Sequence, residues 1–288
     1  MTPVGRIRSR GPDRRAVRSS AIALVSTVAV FGLLGYVIVN SPGWPKVQAS
    51  FLDRDLFVES LPKLVAAFAI NVQMFMIAEV LVLGLGLVIA LVRNLPGPVF
   101  FPLRVIATVY ADVFRAIPGV LVIFVLGFGI PALGIVDPKT SPLVFGIAAL
   151  TLVYSAYVSE VYRAGIDSVH PSQGMAARSL GLSHFQTLRH VIVPQAVRRV
   201  IPPLLNDFIG LQKDTVLVSY IGVVEIFRNA QIIQAANFNF TPYLGVALVF
   251  IVVTIPLARF TDWLIAHDKG LRDMRGPRTG LGMTGGVP

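Results

Sequence analysis

Charged side chains recur inside apolar runs long enough to cross a bilayer, and these are the residues with the capacity for chemistry. Asp112 and Arg115 stand three apart in one run, Lys213 and Asp214 stand side by side in another, and Tyr154 lies in a third. An ionised group in hydrocarbon is costly, so such a residue lines a polar path or finds a partner. At 1.5 Å per residue, Asp112 and Arg115 fall about 12–17 Å from one end of their run, near mid-bilayer. Tyr154 falls at a similar depth, and Lys213 with Asp214 somewhat further out. Two readings stay open. These groups form a polar path, or Asp112 with Arg115 (i, i+3) and Lys213 with Asp214 serve packing or subunit pairing. Glu79 and Glu160 lie nearer the inner side, and Glu160 with Arg163 reads as a structural pair. Asn206 and Asp207 follow Pro202 and Pro203 and read as shapers of an irregular helix.

Other chemistries are excluded by what these residues are not. The chain has no cysteine, so disulfides and thiolate metal sites are unavailable. Its four histidines, His170, His184, His190 and His267, lack the spacing of a metal helix. No pair of carboxylates and no nucleophile with its base recurs at catalytic spacing, which argues against an enzyme. No G-x-x-x-x-G-K-[ST] run is present, so the chain does not itself cradle ATP phosphates in the usual way.

The elements that must position these residues are membrane spans. The chain is 55% hydrophobic and 14% charged, with mean hydropathy +0.73. A soluble domain of this length needs a fuller polar shell. A bilayer needs about 20 apolar residues per helix. Runs of that kind occupy residues 21–39, 64–92, 105–130, 143–161, 200–224 and 243–263, an all-α arrangement of about six transmembrane helices. The fifth run is the most polar. The net charge of +10 lies in the connections between runs, so it is a topology signal and not a nucleic-acid footprint. Most Lys and Arg fall on one side with the N-terminal segment, and only Lys46, Arg54, Lys63, Lys139 and Arg228 on the other. That bias places both termini in the cytoplasm. The first apolar run exceeds a signal h-region and no A-x-A site comes after it, so it reads as an uncleaved span. The Arg-, Gly- and Pro-rich segments 1–20 and 274–288 read as tails without structure.

One connection has its own organisation. Residues 173–181 read Q-G-M-A-A-R-S-L-G, and V-I-V-P-Q-A stands at 191–196. Pro171 and Ser172 start a short helix with Ser172 as N-cap. Ala176, Ala177 and Leu180 give it a small apolar face, and Gly181 suits a left-handed C-terminal cap. Ser183 caps a second helix carrying Phe185, Leu188 and Ile192 at helical spacing, which Pro194 ends or kinks. Two short helices hinged at a glycine present a compact knob to a cleft in another protein. The same residues would also suit an amphipathic helix lying on lipid, with Arg178 and Arg189 toward headgroups.

This block resembles the cytoplasmic "EAA" loop of ABC-type importer permeases: E-A-A, three residues, Gly, nine residues, then I-x-L-P. Ala176, Ala177, Gly181, Ile192 and Pro194 match, and Met175 stands where the family usually has Glu. Further segments resemble the polar amino acid subgroup in the same order: V-F-R-A-I-P-G-V-L (113–121), A-Y-V-S-E-V-Y-R-A-G-I (156–166) and the run 205–226. Together they cover roughly residues 70–265, and glutamate and glutamine carriers are the most alike.

The resemblance implies a five-helix type I importer permease core plus one extra N-terminal helix. The corresponding division is a basic tail (1–20), the added helix and an extracytoplasmic loop (21–63), the permease domain (64–267, coupling loop about 168–199) and a cytoplasmic tail (268–288). It further implies a cytoplasmic-membrane subunit paired with an identical or related permease chain. Such a subunit is fed by an extracytoplasmic amino-acid-binding protein and driven by two copies of a cytoplasmic ABC ATPase. ATP and Mg belong to that ATPase, and no cofactor is expected on this chain. Met175, Ala176, Ala177, Arg178, Gly181 and Pro194 are the implied coupling residues. Asp112, Arg115, Tyr154, Lys213 and Asp214 suit the carboxylate and ammonium of an amino acid. Met175 offers a flexible apolar surface in place of the usual acid. The same architecture would serve a cationic amino acid or an opine. A secondary transporter, the alternative of another class, predicts repeats between the halves that the sequence does not display.

Overall fold

The computed structural model describes residues 14–275, and among them every regular element is helical. The tail segments 1–13 and 276–288 lie outside the described residues. The chain divides into two compact units, Met1–Arg54 and Asp55–Pro288.

The first unit holds α1 (Arg14–Val39) and α2 (Trp44–Phe51). Helix α1 begins inside the segment expected to be tail, because Arg and Ala are good helix formers and extend the apolar run backward. Ser26 and Thr27 return their hydroxyls to the carbonyl of Ala23, which satisfies them within the helix. Helix α2 carries Pro45 in its first turn, where the missing N–H costs nothing.

The second unit opens with α3 (Arg54–Arg93), 40 residues long. Its first turns and α2 occupy the stretch expected to be an extracytoplasmic loop. Asp55 stands in the first turn, where a carboxylate complements the helix dipole. The run expected as one span over 105–130 is broken into α4 (Phe101–Ala116) and a second piece, Gly119–Ala132, that begins with α5 (Gly119–Phe124), and the two are bent by 106°. Pro118 is the cause. It forces Ile117 into extended backbone (ψ 130°), which no helix continues through. A π turn, Val125–Gly129, and the short α6 (Ile130–Ala132) complete this segment.

Helix α7 (Pro142–Asp167) is capped by Ser141, whose hydroxyl accepts from the Leu143 amide at 3.3 Å. After the loop helices α8 (Pro171–Ser179) and α9 (His184–Thr187), a π turn (Leu188–Ile192) leads into α10 (Val193–Asp214). A 3₁₀ segment, Thr215–Ile221, ends at Gly222 with φ +91°. Next comes helix α11 (Ile226–Asn237), which the hydropathy pattern did not separate from its surroundings, and α12 (Thr241–Arg275) closes the unit. Among the described residues four helices are long and apolar enough to cross a membrane, or up to six if each bent pair is one span.

The main core joins α3, α5, α7, α10 and the 3₁₀ segment through Met74, Val82, Ile123, Phe145, Val158, Leu211 and Val218. Helices α7 and α10 pack tightly at Gly165, where a Cβ would collide with Val200. Small residues at such crossings let backbones meet where no hydrophobic effect drives helices together. A second cluster, Leu64, Phe68, Ile226, Ala230, Val246 and Val249, seats α11 between α3 and α12. Beside it Asn71 on α3 donates to Glu225 (2.8 Å) and to Thr215 (3.1 Å), and its carbonyl accepts from the Ile226 amide. Glu225 also caps α11 by accepting from the amides of Phe227 and Arg228. This buried carboxylate is satisfied entirely by neutral donors.

Candidate functional site

The loop after α7 is built by backbone chemistry. Pro171 takes the first helical position of α8, so His170, and not Ser172, becomes the N-cap. The His170 Nδ1 accepts from the Ser172 amide at 3.2 Å. At the other end Gly181 has φ +88°, as its cap role requires. The amide of Leu182 donates to the Ala177 carbonyl and that of Gly181 to the Arg178 carbonyl, which makes a Schellman cap. Ser183 and Gln186 then exchange bonds, Ser183 amide to Gln186 side chain (2.9 Å) and Gln186 amide to Ser183 hydroxyl (3.3 Å). This capping box starts α9. Pro194 does not end the helix that carries it. The π turn just before this proline widens the coil and accommodates a ring that lacks an N–H, so helix runs from His184 to Asp214.

Ala177 is buried beneath α8, whereas Met175, Ala176 and Arg178 face outward. Leu180 is 82% exposed and Phe185 67% exposed, so the two loop helices present an apolar knob. An exposed apolar patch rimmed by polar residues marks an interaction surface. Met175, 62% exposed, belongs to that patch and adds no charge to it.

The same continuous helix carries the second site. A cavity of about 270 Å³ is lined by Gly119, Val153, Tyr154, Tyr157, Asn206, Asp207, Gly210, Asp214 and Leu217. Tyr154 donates its hydroxyl to Asp214 at 2.8 Å. Gly210 permits this, since a Cβ there would sit 3.1 Å from the tyrosine oxygen. One carboxylate oxygen of Asp207 is buried without a hydrogen-bond partner among the described residues. Two acids, an amide and two phenols therefore face one space, and no cation lines it.

Of the residues singled out by depth in the membrane, Tyr154 and Asp214 meet here. Lys213 is exposed, because adjacent residues of a helix point about 100° apart. Asp112 and Arg115 do not pair. Arg115 turns from the end of α4 to Glu160 on α7 (3.5 Å), and Asp112 is exposed on α4. Glu160 also binds Arg93 and, at 2.8 Å, Arg163, as the i, i+3 spacing of the latter pair leads one to expect. Asn206, Asp207, Gly210 and Tyr157 were not legible as site residues one at a time. The available signal was periodicity, since 207, 210 and 214 share one helix face, as do 153, 154 and 157.

A family model described as "Binding-protein-dependent transport system inner membrane component" matches residues 84–267. The chain belongs to that family. It is therefore a multi-pass inner-membrane transport subunit, of a kind that works with a binding protein and an ATPase. The chain is 34% identical over 205 residues to the probable amino-acid permease protein YxeN of Bacillus subtilis, covering 71% of this chain and 90% of that one. It is 36% identical over 181 residues to the probable glutamine ABC transporter permease protein GlnM of the same organism, covering 62% and 81%. A solved amino acid ABC transporter, described as holding histidines, superposes with a TM-score of 0.69 at 31% identity. That match covers 75% of this chain and 98% of that one.

Proposed function

We propose that this inner-membrane component translocates a polar amino acid by alternating access, with the cavity beside α10 as its substrate site. The observation that carries the reading is mechanical. The α9 half of the knob and the wall of the cavity formed by Asn206, Asp207, Gly210 and Asp214 lie on one helical run, from His184 to Asp214, so a displacement of the loop would be carried to Asp207 and Asp214. Two cytoplasmic ATPase subunits would dock on Met175, Ala176, Arg178 and Leu180, draw together on binding ATP and turn the cavity outward. Hydrolysis would reset it. A second permease chain, identical or related, completes the pathway, with both termini of this chain on the cytoplasmic side.

The likeness to relatives named as glutamine permeases and the polar lining of the cavity support glutamine as the primary substrate. Its ammonium meets Asp207 and Asp214, and its side-chain amide can exchange hydrogen bonds with Asn206 and Tyr157. Glutamate fits less well, because its side chain adds a second substrate carboxylate to a space that already holds Asp207 and Asp214 and is lined by no cation. A second reading, a cationic amino acid, is favoured by the same pair of acids. The test is ATP-dependent uptake into vesicles containing the assembled transporter, with labelled glutamine, arginine and glutamate supplied in turn. Glutamine uptake that falls at least tenfold in Asp214→Asn, with the complex intact, supports the site. Arginine preferred over glutamine selects the second reading, and uptake indifferent to Asp214→Asn and Asp207→Asn would sink the cavity as the substrate site.

A further inference from the structure

A second groove, of about 380 Å³, lies where α3 ends and α4 begins, lined by Arg93, Phe101, Arg104, Val105, Thr108 and Val109. It sits at the same end of the bundle as the knob, since Arg93 is bound to Glu160 in the last turns of α7, shortly before α8. Charge there does not balance. Glu160 is shared by Arg93, Arg115 and Arg163, and the one further acid in this ion-pair group, Asp167, is taken by Arg163 at 3.2 Å. Arg104 adds a fourth guanidinium, and no ion pair joins it to a carboxylate among the described residues. Its Nη1 donates to the carbonyls of Leu95 and Gly97, both at 2.7 Å, and its guanidinium lies 5.9 Å from the centre of the Phe101 ring. One nitrogen makes both bonds, which leaves Nε and Nη2 as donors on a side chain already held in place. Partly buried guanidiniums in excess of carboxylates leave a local positive field, which a phosphate oxygen pair neutralises well.

We infer that this groove binds an anionic phospholipid, its headgroup phosphate on Arg104 and Arg93 with the Thr108 hydroxyl alongside. One acyl chain runs over Val105 and Val109. A free phosphate would use only the charged end. The remaining wall is apolar and continues onto outward-facing side chains, Phe101 (59% exposed) and Ile106 (65% exposed), as a lipid-facing surface does. Basic pockets between transmembrane helices near the membrane–water boundary are places where anionic headgroups collect.

Native mass spectrometry of the full chain in its assembled complex tests this, with dioleoyl phosphatidylglycerol and dioleoyl phosphatidylcholine added in equal amounts. The unmodified chain should retain phosphatidylglycerol over phosphatidylcholine. Arg104→Gln should lower that retention about fivefold, the effect of one basic residue near an anionic surface, and Arg104→Lys should restore most of it. Val105→Trp changes no charge and breaks no hydrogen bond of the turn, so it serves if Arg104→Gln does not assemble. It should fill the wall and lower retention on its own. Equal retention of the two lipids by the unmodified chain would overturn the proposal. So would undiminished phosphatidylglycerol in both variants, or its displacement by an equal amount of inorganic phosphate.

Discussion

Gly181 shows how much one residue type decides in the loop. Its φ of +88° lies where any side chain strains the backbone, and nothing crowds the position, so the requirement is conformational and not steric. Gly181→Val should therefore cost about 1–2 kcal/mol locally and tilt α8 away from α9 rather than unfold the bundle. The expected outcome is normal membrane insertion and assembly with loss of binding-protein-stimulated ATP hydrolysis. Stimulation equal to that of the unmodified transporter would show that the knob tolerates another geometry. Gly181 and the Ser183 cap were legible because caps are local chemistry. The partner of Arg115 was not. The i, i+3 spacing offered Asp112, but the helix ends one residue later, and the freed side chain reaches a carboxylate on another helix.

Helices in this bundle are held by a few specific contacts, and two of them can be separated by experiment. Glu225 is long for an N-cap, and the extra length lets one carboxylate cap α11 and reach Asn71 on α3 together. Glu225→Asp should keep the bonds to the Phe227 and Arg228 amides and leave one N–H of the Asn71 side chain without its acceptor, at about 1–3 kcal/mol. Thermal unfolding in detergent should begin at lower temperature in Glu225→Asp and in Asn71→Leu. The double substitution should cost less than their sum; strict additivity would mean that the two residues do not act together. Gly165 offers a steric counterpart. Gly165→Val forces α7 and α10 apart at Val200, and Val200→Ala in the same chain should recover much of the lost thermal stability. No recovery would place the strain elsewhere on the crossing. The helix through Pro194 belongs to this scale as well. A proline in sequence predicts a break, but the π turn ahead of it absorbs the missing N–H, and the run to Asp214 stays mechanically continuous.

For the whole molecule, the basic residues gathered beside the loop and the N-terminal segment predict that both lie on the cytoplasmic side. The chain is free of cysteine, so single cysteines report cleanly. Lys139→Cys, in the connection between α6 and α7, should react with an impermeant thiol reagent applied to intact cells. Ser179→Cys, on the exposed side of α8, should react only after the membrane is opened. The reverse pattern would turn the molecule over and remove the knob from any cytoplasmic ATPase.

The all-helical membrane character, the Gly181 and Ser183 caps and the family were legible in the sequence alone, because each rests on local signals: uncharged length, cap residues and ordered motifs. Tyr154 and Asp214 could be singled out on the same basis, since a polar group at depth in hydrocarbon is anomalous wherever it stands. Tertiary structure alone decided which of those anomalies meet. Tyr154 reaches Asp214 because Gly210 leaves room beside it, and Asp207 joins them by sharing a helix face. It also decided that Arg115 belongs to Glu160, and that the span after α3 turns through 106° at Pro118. Pairing across helices depends on crossing points and rotations set by side chains far away in sequence, such as Gly165 against Val200, and no local pattern encodes them.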